Sequence, residues 1–74
     1  MKELFKTTLP FDGAQISYNV HFEDEGYLFE PEQASGETLR FYRDHDEWKW
    51  DATLPEGTTQ AAVTALDDYL LSQH

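Results

Sequence analysis

The chain has 74 residues, no Cys, and a formal net charge of −10 from 15 Asp and Glu against five Lys and Arg. This length predicts one domain spanning 1–74, and the charge repels nucleic-acid phosphates and anionic membrane surfaces. The N-terminal residues lack the apolar core of a signal peptide, and no apolar run reaches the ~20 residues that span a bilayer. We therefore expect a cytoplasmic protein that contacts neither nucleic acid nor membrane directly, and the lack of Cys fits a reducing compartment.

The N-terminal third has the pattern of a β-hairpin. Apolar and polar residues alternate over 15–22, which predicts a strand with one buried face. Asp12-Gly13 precedes this strand, and such a pair favours a type I′ turn because both central residues need positive φ. Folding the chain back at that turn sets Phe5 opposite Val20 on one face of the sheet.

Three further connections extend the hairpin into a meander. The loop at 23–26 sets Phe22 against Tyr27, and the tight connection at 44–47 sets Phe41 against Trp50. The longer loop at 32–36 is predicted to bring Phe29 opposite Phe41 and Leu28 opposite Tyr42. A slip of one residue would move a whole strand's aromatic residues to the other face, so the pattern favours this register. The predicted core row comprises Phe5, Val20, Phe29, Phe41 and Trp50.

The C-terminal segment changes to a helical period after Pro55 and Gly57. Thr58 or Thr59 is a suitable N-cap of a helix over about 58–71. One apolar stripe of this helix comprises Ala62, Val63, Ala65, Leu66, Tyr69 and Leu70. The sequence thus predicts an α+β fold: a four- to five-stranded antiparallel β-meander with one C-terminal α-helix packed on one face. The predicted strands cover about 3–9, 15–22, 27–30, 38–43 and 47–52.

The outer face of the predicted sheet, on the side away from the helix, is the candidate binding surface. It combines apolar, aromatic and basic side chains in an otherwise acidic molecule, and Tyr and Arg are enriched at protein interfaces. An ordinary solvated sheet face is the alternative interpretation. The candidate binding residues form one predicted row across the strands, with Arg40 beside it. The row comprises Leu4, His21, Leu28, Tyr42 and Lys49.

The sequence contains no pattern that predicts catalytic or metal-binding residues. The acidic segments at 21–25 and 44–47 offer carboxylates and imidazoles, but counting from Asp44 puts Lys49 and Pro55 where a calcium loop of the EF-hand type needs Gly and Glu. No serine lies in a nucleophile motif, and no glycine-rich phosphate loop is present. We expect no cofactor, and these segments are predicted to be solvated turns.

Two smaller expectations concern the helix and the last hairpin. Arg43 opposite Trp48 predicts a cation–π contact at the rim of the core. Asp67 and Asp68 fall near the helix C-terminus, where the helix dipole disfavours negative charge, and no Lys or Arg follows within that turn.

Three functions remain open from the sequence. The leading hypothesis is a non-catalytic module that binds an unidentified protein or itself, for instance as a homodimer, through the outer face or an edge strand. The second is an acidic nucleic-acid mimic that inhibits a DNA- or RNA-binding protein by occupying its basic groove. The third and least favoured is a small metal-dependent enzyme, which would need His21 or His45 to meet two carboxylates in a cleft.

Overall fold

The computed structural model describes residues 3–33 and 36–73 of the chain. Each strand pairs antiparallel with the next, so the order of strands in the sheet follows the order in the chain. The predicted α+β architecture, an antiparallel meander followed by one helix, is confirmed for these residues. The elements are β1 (Glu3–Phe11), β2 (Ala14–Glu23), β3 (Gly26–Pro31), β4 (Leu39–Asp44), β5 (Glu47–Trp50) and α1 (Glu56–Ser72).

Two-residue turns determine the first two pairings of the sheet. Asp12 and Gly13 have φ values of 51° and 83°, as the predicted type I′ turn requires. Asp24 and Glu25 repeat this arrangement between β2 and β3, with φ values of 52° and 61°. Because such turns leave no freedom of register, the predicted pairs Phe5–Val20 and Phe22–Tyr27 are both observed.

The last hairpin also has the predicted register. Its turn places His45 at a φ of 60°, and Asp44 pairs with Glu47 across it. Phe41 consequently lies opposite Trp50.

The pairing of β3 with β4 differs from the prediction by two residues. Phe41 lies opposite Tyr27, and Leu28 lies opposite Arg40, so the predicted pairs Phe29–Phe41 and Leu28–Tyr42 were wrong. The connection from 32 to 38 is too long to impose a register, and a shift of two keeps every side chain on its predicted face. The predicted core row is therefore divided into two rows. One comprises Phe5, Val20, Phe29 and Leu39; the other comprises Phe22, Tyr27, Phe41 and Trp50.

The core lies between these rows and one side of α1. A ring contact joins the two rows, since Phe29 meets Phe41 edge-to-face at 5.3 Å between ring centroids. On its other side, Phe29 meets Tyr18 edge-to-face at 6.2 Å. Such pairs add ~0.5–1.5 kcal/mol beyond the burial of apolar area. Burial raises the pKa of the Tyr18 hydroxyl, and the Glu37 carboxylate adds to this effect. The buried apolar residues are Leu9, Tyr18, Val20, Phe29, Leu39, Phe41, Ala62 and Leu66.

The helix begins earlier than the sequence predicts, and its two threonines do not cap it. Pro55 is the N-cap residue, and α1 starts at Glu56. The Thr58 hydroxyl is fully buried and donates a hydrogen bond to the backbone carbonyl of Pro10 at the end of β1. The Thr59 hydroxyl donates to the Glu56 carbonyl within the helix at 2.9 Å. The N-cap assignment was wrong because the sheet offers Thr58 a buried acceptor that the sequence does not reveal.

The far end of the helix packs on the start of β1. The rings of Tyr69 and Phe5 stack at 5.0 Å between centroids, and α1 therefore runs antiparallel to β1. Among residues 3–33 and 36–73, no helix combines the length and the apolar character needed to cross a bilayer.

Candidate functional site

The outer face of the sheet brings together only part of the predicted binding surface. His21, Leu28 and Arg40 lie side by side on β2, β3 and β4. Tyr42 pairs with Lys49 one row further, towards the β4–β5 turn.

The predicted neighbour of His21 on β1 is also different. The register of β1 shifts between Glu3 and Phe5, so Glu3 lies opposite His21 and Leu4 is the extra residue of the bulge. The row was predicted to contain Leu4, His21, Leu28 and Tyr42. It contains Glu3, His21, Leu28 and Arg40. The bulge adds a residue without changing the hydrophobic pattern of the rest of the strand, which is why the sequence does not reveal it.

His21 already has a partner within the chain. Its Nε2 atom lies 2.5 Å from a carboxylate oxygen of Glu30, and only 12% of its side-chain surface is exposed. A shallow hollow of about 380 Å³ surrounds this pair, lined by Glu3, Asn19, His21, Glu23, Glu30 and Pro31. In the part of the chain that the structure describes, no three His, Asp or Glu side chains are arranged to hold a metal ion.

Arg40 is likewise held in place by contacts inside the chain. Its guanidinium donates a hydrogen bond of 2.5 Å to the carbonyl oxygen of Asp24 and lies 5.9 Å from the ring centroid of Tyr42. Its side chain covers Gly26, where an added Cβ would come within 2.6 Å of the Arg40 Nε atom. Lys49 pairs with Glu47 at 3.6 Å. A partner on this face would have to compete with these internal contacts.

A second surface lies on the opposite side, where α1 ends above β3, β4 and β5. Here Arg43 and Trp48 form the predicted cation–π contact, with 4.9 Å between the guanidinium carbon and the ring centroid. The Trp48 indole N–H donates to a carboxylate oxygen of Asp67 at 3.0 Å, and an Arg43 nitrogen lies 3.5 Å from the same oxygen. A basic residue from β4 thus partly neutralises the helix C-terminus.

These residues form one side of an open groove of about 470 Å³, here called the aromatic groove. It is lined by Tyr27, Arg43, Trp48, Asp67, Leu70 and Leu71. Leu71 is 72% exposed, and Phe22, which meets Tyr27 edge-to-face at 5.0 Å, is 49% exposed. Large apolar side chains therefore meet water together at one end of the molecule.

The helix covers the inner face of the sheet incompletely at this end. Near its C-terminus α1 contacts β1 through the stacking of Tyr69 on Phe5 and β5 through the bond between Asp67 and Trp48. Phe22 nevertheless remains 49% exposed and Tyr27 half-buried.

Acidic residues cluster at the end of the molecule that contains the groove. In an antiparallel meander the β2–β3 and β4–β5 turns lie at the same end of the sheet, and the contact between Trp48 and Asp67 places the end of α1 there as well. Eight of the 15 carboxylates belong to these three segments, which we call the acidic end. They are Glu23, Asp24, Glu25, Asp44, Asp46, Glu47, Asp67 and Asp68.

The aromatic groove was not among the surfaces that the sequence pattern predicts. The stripe of α1 was expected to include Leu70, but Leu71 lies off that stripe, and an apolar residue on the polar side of a helix was an available signal. Phe22 and Tyr27 were assigned correctly to the inner face. Their exposure depends on where the helix ends in space, which the pattern does not specify.

Comparison of the chain with protein-family models, with curated proteins and with solved structures found no match.

Proposed function

We propose that this protein is a non-catalytic interaction module that binds another protein through the aromatic groove. The observation that carries the proposal is that Phe22 and Leu71 are exposed near the half-buried rings of Tyr27 and Trp48, at one end of a small, highly charged chain. Contiguous apolar surface of this kind marks interaction sites in soluble proteins, whereas single exposed apolar residues need no explanation. Without Cys, the module suits the reducing cytoplasm.

The composition of the groove supports this function. Trp, Tyr and Arg are the residues that most often carry the binding energy of protein interfaces. Tyr27, Trp48 and Arg43 supply one of each, and contacts with Asp67 hold two of them in fixed positions. Side chains ordered before binding lose little further conformational freedom when a partner arrives.

The outer face is the less favoured contact surface. Its two most polar members, His21 and Arg40, have partners in the chain at 2.5 Å each, and breaking those contacts would offset the gain from binding. Leu28 and Tyr42 are only half-buried, and the β3–β4 register places them in adjacent rows rather than opposite each other. The groove needs no internal contact to be broken before a partner can enter it.

The net charge of the chain disfavours a homodimer formed through the groove. Two copies would bring net charges of −10 together, and the acidic end would lie at the contact. We therefore expect a monomer at low salt. Light scattering over a concentration series, at low and at high salt, measures this directly. A stable dimer at low salt would replace the foreign partner with a second copy.

The second candidate function is the acidic nucleic-acid mimic. The clustering of eight carboxylates at one end of the molecule favours it, since a basic groove could bind that end electrostatically. A mimic does not require exposed aromatic residues between its carboxylates, and the groove is better explained by an apolar contact. The two functions differ in what Leu71 contributes: it is central to the module and incidental to the mimic.

Site-specific photocrosslinking in cells that naturally make the protein tests the proposal. A photoreactive residue at Leu71 should crosslink to a partner protein, whereas the same residue at Gln60, also exposed on α1 but away from the groove, should not. Crosslinks from Tyr42 or Lys49 without any from Leu71 would move the contact to the outer face. Equal crosslinking from Leu71 and Gln60, or none from either, would contradict the module.

A further inference from the structure

We propose that the aromatic groove receives a short basic, amphipathic segment of the partner, with large apolar side chains in the groove and Lys or Arg on the acidic end. This inference rests on the proposed function and specifies the chemistry of what binds. It follows from two properties of the same surface, its apolar floor and its acidic border.

The floor of the groove suits bulky apolar side chains. Tyr27, Trp48 and Leu70 line a space of about 470 Å³, within the ~300–1,000 Å³ range of sites that enclose ligand groups. Leu71 projects at its edge with most of its surface in water. An apolar side chain inserted beside Leu71 and Trp48 would remove area on both partners from water, which drives most protein association.

The border of the groove determines the charge of the partner. Three acidic segments lie at the same end of the molecule as the groove: the turn at 23–25, the turn at 44–47 and the end of α1, from which Asp67 lines the groove itself. Arg43 lies within this border, and its guanidinium is already engaged with Asp67 and the Trp48 ring. Asp44 and Glu47 also have partners within the chain. The other five carboxylates form no ion pair within the part of the chain that the structure describes and are available to external cations, so a partner bearing Lys or Arg beside its apolar residues is complementary.

The end of the helix adds to the same field. The last turn of α1 contains no basic residue, and the C-terminal carbonyl groups of a helix carry partial negative charge. Asp67 and Asp68 lie in the last two turns. A cationic side chain from a partner would compensate both the carboxylates and the helix dipole at this point.

The charge of the acidic end also distinguishes among the segments that could occupy the groove. A second copy of the chain brings a net charge of −10, and an acidic or phosphorylated segment would be repelled by the same border. A neutral apolar segment would fill the floor but leave the border unused. The basic amphipathic segment is the occupant that uses both.

Titration with two synthetic peptides tests the inference. One peptide carries Leu on one face of a helix and Lys on the other, and the matched peptide has Glu in place of every Lys. In a Trp50→Phe background, Trp48 is the only remaining Trp, so its fluorescence and its indole N–H resonance report on the groove. We expect the Lys peptide to change both signals and to bind at least about tenfold more tightly than the Glu peptide.

A paired substitution on the helix distinguishes docking in the groove from simple charge attraction. Leu71→Glu makes the protein more acidic yet removes apolar contact, and we expect it to weaken the Lys peptide about tenfold. Gln60→Glu adds the same charge on the exposed surface of α1 away from the groove and should leave the affinity nearly unchanged. Unchanged or tighter binding by Leu71→Glu would show attraction by net charge alone and would overturn the proposal.

A second pair tests the acidic border without disturbing the fold. Asp24 and Asp12 occupy equivalent left-handed turn positions, with φ values of 52° and 51°, at opposite ends of the sheet, and Asn tolerates that conformation well. Asp24→Asn should weaken the Lys peptide by about two- to fivefold, whereas Asp12→Asn should not. Equal effects of the two substitutions would mean that the acidic end has no special role.

The outcomes separate this inference from the function on which it rests. Equal affinity for the Lys and Glu peptides would refute a basic partner while crosslinking at Leu71 still supported an interaction module. Failure of both peptides to bind, together with crosslinking at Leu71, would refute the short amphipathic segment only. Failure of the peptides and of crosslinking would refute both.

Discussion

The two ends of the contact between α1 and the sheet differ in how completely they exclude water. Along the first three turns of the helix, Thr58, Ala62 and Leu66 are fully buried, and a hydrogen bond from Thr58 joins the helix to β1. In the C-terminal part, Leu71 is 72% exposed, and the bond between Trp48 and Asp67 lies at the surface. We call the first of these the closed end and the second the open end. We infer that the closed end supplies stability and that the open end leaves surface for recognition, since apolar contact stabilises a fold only where it removes water.

The largest expected difference in unfolding free energy is between substitutions of two leucines of α1. Leu66→Ala should lower the free energy of unfolding by about 2–5 kcal/mol, because it empties space in a packed core. Leu71→Ala should change it by less than about 0.5 kcal/mol, because that side chain is already in water. Urea denaturation of both variants measures the difference. Similar losses of unfolding free energy at the two positions would mean that the C-terminal end of the helix excludes water as completely as the rest.

An intermediate effect is expected at the hydrogen bond that anchors the closed end. Thr58→Val keeps the size of the side chain but leaves the carbonyl of Pro10 without its donor, and we expect a loss of about 1–3 kcal/mol in the free energy of unfolding. Thr58→Ser keeps the hydroxyl and serves as the matched variant. If Thr58→Val were as stable as Thr58→Ser, the bond would contribute nothing to the closed end.

The smallest effect is expected at the corresponding bond of the open end. Asp67→Ala and Asp68→Ala both relieve repulsion at the helix C-terminus, but only the first removes the contacts with Trp48 and Arg43. Asp67→Ala should therefore be less stable than Asp68→Ala by up to about 1 kcal/mol, as exposed contacts of this kind contribute little. Thermal unfolding of the two variants compares them. A difference as large as that at Thr58 would contradict an open end.

The sequence predicts the fold well where short-range chemistry decides it. Asp12-Gly13 and the alternation that follows are sufficient to pair β1 with β2, and the Arg43–Trp48 contact follows from the tight β4–β5 turn. It predicts the candidate surface less well. The outer-face residues were placed on the correct strands, but the predicted neighbours of His21 and Leu28 were replaced by Glu3 and Arg40.

The sequence by itself determined which residues form strands and helix, which face each strand presents inward, and the register across every two-residue turn. These properties depend on backbone sterics and on a side-chain period of two, both of which are local. Only the tertiary structure decided the β3–β4 register, because a shift of two residues leaves the hydrophobic pattern unchanged. It also decided where α1 ends over the sheet, and with it the exposure of Phe22 and Leu71, because that position depends on contacts between distant parts of the chain, such as Tyr69 with Phe5 and Asp67 with Trp48.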